Sequence, residues 1–384
     1  MQKRAAYDYG HMPFGVGCFH FTYANTDQGI TTRAWADLVK QTLLSIPSVS
    51  DVSVDCGDDP DLTWEPDASG DDIDDFYGDF YPNPSGACIR FAVTIPRRLH
   101  SSLFDGLGKQ SERFEVVTEY GYEAPATFIY ALDVVGQRGS SGVILVREFL
   151  RKELRQRTDE LVLRTLGPSP FHVDFVLAGV DRSSQPGVPD LLDEFGHWSL
   201  EREVRPGYDV LLYGYSISRF ESIDEARDVM MRDLVGEVSL FYELRLRSNR
   251  RRRDADRLVS DAGLLVGMHQ RRGFWGMLTR LFRSGHTARS LGISALRAQV
   301  TSEEDAAYAR AEIEDIYSGA RPLAQSEKKL RNVAFEEYGP EIRNALEVVS
   351  FLEGGRSKEW EVAVLAAATA LGALAGAGAS LLAR

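Results

Sequence analysis

Apolar residues alternate with small or polar ones over residues 15–23, Gly-Val-Gly-Cys-Phe-His-Phe-Thr-Tyr, and predict a strand. The pattern then changes period. Trp35, Leu38, Val39, Leu43 and Leu44 recur at helical spacing, so residues 32–46 are expected to form an amphipathic helix. Val52-Ser53-Val54-Asp55 alternates again and reads as a returning strand. Residues up to about 85 are rich in Asp, Gly and Pro and read as loop. Residues 87–95, 113–120 and 126–132 are rich in Val, Phe, Ile and Tyr and predict three more strands. Strand, helix, strand and an antiparallel run together predict an α+β head of ferredoxin-like character over residues 1–135.

Residues 136–220 are expected to form a second α/β lobe or to continue the first. A helix is predicted over 139–165, with Ser140 or Ser141 as its N-cap. Short strands are expected at 171–177 and 209–215, with an exposed loop over 182–189. Strand signals stop near residue 221. Helices are predicted over 223–266, broken only near Gly236, and over 302–317 and 326–352. Glu303, Glu304 and Asp305 enrich the first turn of the second of these, as the helix dipole favours. Residues 221–355 therefore read as an α-helical stalk.

The chain closes on a different pattern. From Val362 to Ala383 there are 22 residues without a charge. At 1.5 Å per residue such a helix is ~33 Å long, enough for a bilayer core of ~30 Å. Ala and Gly dominate the run, so insertion rests mainly on Leu365, Leu371, Leu374, Leu381 and Leu382. A buried apolar helix of a soluble protein is the competing reading. Length, an interfacial Trp360, and Arg356 and Lys358 at the entry favour a transmembrane tail anchor over residues 361–383. The same charges place the N-terminal bulk in the cytoplasm, at the cytoplasmic membrane. Residues 1–8 lack the apolar stretch of a secretory signal. Ala368, Gly372, Gly376 and Ser380 form a row of small residues with a Gly-x-x-x-Gly step, the spacing that lets helices pack closely in lipid. That row predicts a homo-oligomer, with compositional drift as the alternative.

Net charge is −13, unevenly spread. No basic residue lies between Lys40 and Arg90, and residues 51–79 carry twelve carboxylates. Asp58, Asp59, Asp61, Asp71, Asp72, Asp74 and Asp75, together with Trp64, form a candidate acidic docking loop (residues 51–85) for a basic protein partner. Their spacing does not fit an EF-hand, so no calcium site is expected. The sign reverses from Arg245 to Arg297, where thirteen Arg face three Asp. Within that stretch, residues 271–289 form a basic amphipathic segment. Arg271, Arg272, Phe274, Trp275, Leu278, Arg280, Leu281, Phe282 and Arg283 are its candidate membrane-surface residues, suited to anionic lipid of the inner leaflet. The competing reading is a helical hairpin tip. The run Arg250–Arg253 reads as a solvated helix face or as a contact to lipid headgroups near the membrane; an acidic chain without a nucleic-acid motif argues against nucleic acid.

Catalytic signals are sparse. Cys18, Cys56 and Cys88 lack metal-ligand spacing and read as reduced core thiols. The histidines show no metal-binding motif, and His172 reads as structural. Gly136 to Gly142 resembles a phosphate loop in composition but lacks Gly-Lys-Ser/Thr, so a capped turn is expected. No cofactor, metal or catalytic residue is therefore assigned. The order of α/β head, helical stalk and membrane segment resembles CorA-type ion channels in outline. Those have two spans and a Gly-Met-Asn signature; this chain has one candidate span and no such tripeptide. The expected function is a membrane-tethered, non-enzymatic sensor, effector or scaffold of bacterial signalling or defence, oligomerising through stalk and anchor. A membrane-anchored enzyme and an oligomeric channel subunit are the alternatives.

Overall fold

Strand β1, Tyr9–Tyr23, organises the sheet domain because it changes neighbours along its length. The other strands are β2 Ile30–Thr31, β3 Val49–Asp55, β4 Thr63–Trp64, β5 Cys88–Thr94, β6 Arg113–Tyr120, β7 Pro125–Ala131, β8 Leu161–Leu166, β9 Val173–Val180, β10 Trp198–Glu203 and β11 Asp209–Ser216. Helices α1 Thr32–Leu44, α2 Arg97–Leu103 and α3 Gly139–Arg155 are interleaved with them. Helices α4 Ile223–Gln270, α5 Gly285–Tyr317 and α6 Glu327–Ala334 follow, and α7 covers 340–351. The computed structural model describes residues 9–24, 28–64, 83–103, 111–133, 139–166, 173–180, 198–204, 209–270, 285–318, 327–335 and 340–351. A mixed α/β sheet domain followed by helices is thus the architecture.

Nine strands form one sheet in the order β10-β11-β9-β1-β7-β6-β5-β3, with β8 also on β1. On one side, β1 pairs first with β9 through Phe14↔Phe175, then with β8 from Cys18↔Leu166 to Tyr23↔Leu161. On the other side it pairs with β7 only from Phe14 to Gly17. Beyond Gly17, β1 and β7 part, and side chains replace the missing ladder. The Phe19 N–H donates to Thr127 Oγ1 at 3.0 Å, and the Phe21 N–H to the Tyr120 hydroxyl at 3.2 Å. The Phe21 carbonyl accepts from the Trp35 indole N–H at 2.7 Å. Each of these bonds matters because an unmade buried one costs ~1–3 kcal/mol.

Helices α1 and α3 contribute to the same hydrophobic core. Trp35, Val39 and Leu43 of α1 and Leu145, Phe149, Leu150 and Leu154 of α3 pack with Phe21, Phe91, Phe114 and Ile129 of the sheet. Each such side chain contributes ~1.5–3 kcal/mol on full burial. Thr31 caps α1 by accepting from the Ala34 N–H at 3.2 Å. The cap of α3 differs from expectation. Ser140 and Ser141 lie inside the helix, and the Ser140 N–H donates to Asp174 Oδ1 at 2.8 Å. A buried carboxylate from β9 supplies the cap in their place. Helix α3 also ends earlier than its apolar spacing suggests: β8 forms from the last part of the expected 139–165 helix.

The chain divides into two units, Met1–Arg247 with Ala309–Ala334, and Ser248–Tyr308 with Phe335–Arg384. The second has its own core, built from Leu258, Ala262 and Leu265 of α4, Ala288, Leu291 and Ala295 of α5, and Ile342 and Ala345 of α7. Helix α4 runs unbroken through Gly236, where the expected break does not occur. A Cβ there would meet nothing within 4 Å, so this glycine is a tolerated weak point rather than a turn. Among the described residues no helix is long and apolar enough to cross a membrane. The expected anchor, residues 361–383, lies outside the described residues.

Candidate functional site

The residues singled out by sequence are placed unevenly. The membrane-surface set from Arg271 to Arg283 and the packing row Ala368, Gly372, Gly376 and Ser380 lie outside the described residues, as do Asp71, Asp72, Asp74 and Asp75. The early part of the acidic stretch is well placed. Its Trp64 belongs to β4, which pairs with β2, and its indole N–H donates to Thr32 Oγ1 at 2.9 Å. The Thr32 and Arg33 N–H groups, at the start of α1, donate to the Leu62 and Pro60 carbonyls, both at 2.9 Å. Asp61 lies 3.6 Å from the Arg33 guanidinium, both well exposed. Asp58 sits beside Gly86. Asp61 and Trp64 thus meet at the N-terminus of α1, while Asp59 is exposed. In the Arg250–Arg253 run, Arg252 faces solvent but Arg251 is buried and lies 4.0 Å from the carboxylate of Asp305. A uniformly solvated face does not describe this run.

A different site emerges along the first half of α4. Residues 237–244 are all buried, so this stretch is enclosed on every side. A helix in that position would be expected to be apolar all round. Instead it carries Glu237, Ser239 and Glu243, with Arg227 two turns or more upstream. Burying charge costs several kcal/mol per ion unless partners are supplied. The sheet and α5 supply them.

Arg227 is the centre of the first group. Its Nη1 lies 2.9 Å from Glu115 Oε2 of β6 and 3.0 Å from Asp224, and its Nη2 lies 3.0 Å from Asp228. The guanidinium also stands 5.4 Å from the centre of the buried Tyr130 ring. Arg90 of β5 approaches from the other side, 3.7 Å from Glu115 and 3.9 Å from Asp228. Burial alone would lower the Arg227 pKa; Glu115, then Asp228 and Asp224, outweigh it and hold the guanidinium above its ordinary range. The guanidinium is therefore a permanent cation.

Nearby Glu119 behaves in the opposite sense. Burial raises its pKa, and the attraction of Arg90 and Arg232 only partly offsets this, while Asp228 adds to it. A carboxyl whose folded pKa lies above its unfolded value holds its proton more tightly in the native state. Its stabilising effect is complete below the unfolded value and is lost as pH rises through the folded one. Glu119→Gln should therefore raise stability at neutral pH, with the gain disappearing below the carboxylate range. Urea unfolding of both chains across pH checks this; a variant less stable at pH 7 would show that Arg90 and Arg232 dominate.

The second group joins three elements. The Tyr317 hydroxyl of α5 donates to Glu237 Oε2 at 3.3 Å. Tyr213 of β11 is fully buried and feels the same carboxylate. Burial, followed by Glu237, raises both phenols well above their ordinary range, so both remain protonated, with Tyr317 the donor to Glu237. Further along, Arg247 bonds Glu243 at 2.8 Å and reaches Glu123 at 2.8 Å. Tyr122 is pushed up to about 12 by burial and by Glu312. These pairings are those of an internal network that fixes helix register against a sheet. The carboxylates of both groups face cations or phenol donors at hydrogen-bond distance, a chemistry of positioning.

Sequence reasoning passed over this seam because Glu237 and Tyr317 are 80 residues apart. One local signal existed. At helical spacing Leu240, Phe241 and Leu244 flank Glu237, so that carboxylate requires a buried partner. Among the described residues, no group of three or more His, Cys, Asp or Glu side chains is arranged to hold a metal ion. Comparison with known proteins yields no matching family model, no matching curated protein and no matching solved structure.

Proposed function

We propose that this chain is a membrane-tethered, non-enzymatic protein whose sheet domain receives a protein partner and whose helical part works at the bilayer. The observation that carries the reading is the uncharged run of 22 residues from Val362 to Ala383, preceded by Trp360 and basic flanks. It follows α7 after about ten residues, so any tether acts directly on the second helical unit. The basic, aromatic residues 271–284 join α4 to α5 in that same unit and fit a role at an anionic cytoplasmic leaflet. Self-association through the small-residue row of the anchor belongs to the same reading.

The head supports a binding role more than a catalytic one. We read it as a ferredoxin-like core of β1, β3, β7 and β8 enlarged by five further strands. Its α1 links β1 to β3 and its α3 links β7 to β8, each connecting strands that are not neighbours. The centre of its sheet is filled by Phe14, Tyr130, Phe175 and Tyr213, in ring contacts of 5.1 to 6.3 Å. Its buried Arg227 and part-buried Arg247 are paired with carboxylates. The acidic stretch after β3 then serves as the docking element for a basic partner, in a signalling or defence setting.

Fractionation tests the tether. Full-length chain should sediment with membranes and resist alkaline extraction, and a chain ending at residue 351 should move to the supernatant. Recovery of the full-length chain in a detergent-free, high-speed supernatant would remove the tether.

A further inference from the structure

Helix α5 is apolar on two opposite faces. Ala288, Leu291 and Ala295 are buried in the core of the second unit. At 100° per residue, Ile293, Leu296 and Val300 lie on the far side of the same helix. They are 53%, 56% and 54% exposed, too much for three large aliphatic residues in one row without a partner. The charges at the two ends of this row have opposite sign. Arg289 stands at its N-terminal end, and Glu303 and Glu304 at its C-terminal end, all exposed.

We propose that a second copy of this chain covers this row, with the two α5 helices antiparallel about a two-fold axis near Leu296. The spacing is self-complementary. Ile293 lies three residues before Leu296 and Val300 four after it, so each Ile293 meets the other copy's Val300. Arg289 lies seven residues before, and Glu303 and Glu304 seven and eight after, so opposite charges close both ends. A two-fold axis places the same patch on both partners, and this patch matches itself only in the antiparallel sense. A parallel pair would set Arg289 against Arg289 and Glu304 against Glu304. Charge complementarity thus selects both the occupant and its direction.

The contact spans about 22 Å of helix, from Arg289 to Glu304. Alone it buries less than the ~1,200 Å² of a standard stable interface. Cross-linking is therefore the suitable readout. This pairing deepens the self-association in the proposed function, yet it does not depend on the tether. Loss of membrane binding would leave the pairing intact, and loss of the cross-link would leave the tether intact.

The test uses full-length chain in membranes or mild detergent under mild oxidation. Leu296→Cys should give a disulfide-linked dimer that is absent from the wild type, whose Cys18, Cys56 and Cys88 provide the background. Ser294→Cys, exposed but turned away from the row, should not link. Adding Arg289→Glu to Leu296→Cys should cut the dimer several-fold. Adding Glu303→Arg and Glu304→Arg to that chain should restore it. Equal linking at 294 and 296, or no recovery on double reversal, overturns the proposal. So does Ile293→Cys linking to itself as strongly as Leu296→Cys, since that marks a parallel pair.

Discussion

Gly139→Val should abolish the native fold of the sheet domain. Gly139 opens α3 directly over β1, and a Cβ at that position would overlap the Phe14 carbonyl oxygen and crowd the Gly15 nitrogen. The reverse contact is equally tight, because a Cβ on Gly15 would overlap the Gly139 carbonyl oxygen and the Val143 side chain. The obstacles to a Cβ on Gly139 are all backbone, which cannot rotate out of the way as a side-chain tip can. Relief requires α3 to move off the sheet. That movement would break the Asp174 cap at Ser140 and withdraw Leu145, Phe149 and Leu150 from the core. The expected cost is on the order of 4 kcal/mol or more, within reach of the whole stability of a domain. Soluble yield and near-UV circular dichroism should both collapse. Gly17→Ala makes a graded control, because its Cβ would be crowded by a side chain alone, Val143 Cγ1 at 2.9 Å, with the Phe19 ring at ordinary contact distance. A Gly139→Val chain within 1 kcal/mol of wild type in denaturant unfolding would show that the helix does not sit on the strand in this way.

This contact explains part of what was legible beforehand. Gly15-Val16-Gly17, the expected start of the first strand but the middle of β1, and the Gly-Ser-Ser-Gly start of α3 are both visible in the sequence, but nothing local says that one lies on the other. Periodic elements were readable. Residues 113–120 form β6 as expected, and α1 carries Trp35, Val39 and Leu43 inward with Leu44 left exposed at its end. Helix α3 misled for a physical reason. Leu161 follows Leu154 by seven residues, two helical turns, so the apolar row continues at helical spacing past the true end at Arg155. The alternation of buried Leu161 and Leu163 with part-buried Val162 and Arg164 is the better guide, and it is the period of β8. Strand β10 was missed because Ser199, Glu201, Arg202 and Glu203 hide its pattern. Helix α5 begins at Gly285, well before the expected start at residue 302, and its early turns are hard to read because Gly285 and Gly292 weaken the local helical signal. The buried seam was the least legible part. Its partners come from β6, β11, α4 and α5, and charge pairing of that kind is a property of the assembled core.

Within that seam, Arg227→Leu should be the most damaging single side-chain change. The guanidinium is only 9% exposed and answers three carboxylates, Glu115, Asp224 and Asp228. Asp224 is exposed and can return to water, but Glu115 is largely buried on β6 and would be left with Arg90 alone, at 3.7 Å. Breaking a buried pair by removing one partner costs ~3–5 kcal/mol, chiefly through the stranded charge. Arg227→Leu also gives up the cation over Tyr130, worth ~0.5–2 kcal/mol in partly desolvated sites. Removing both charges separates these causes. Arg227→Leu with Glu115→Leu leaves no stranded carboxylate, and it should recover most of the loss, since apolar replacement of a buried pair is often close to neutral. Equilibrium urea unfolding of the two single variants and the double variant completes the cycle. A double variant as unstable as Arg227→Leu would mean that Arg227 acts through Asp228 and packing, and that Glu115 is satisfied without it. A near-native double variant would establish that α4 docks on the sheet by shape, with the ion pair fixing its register.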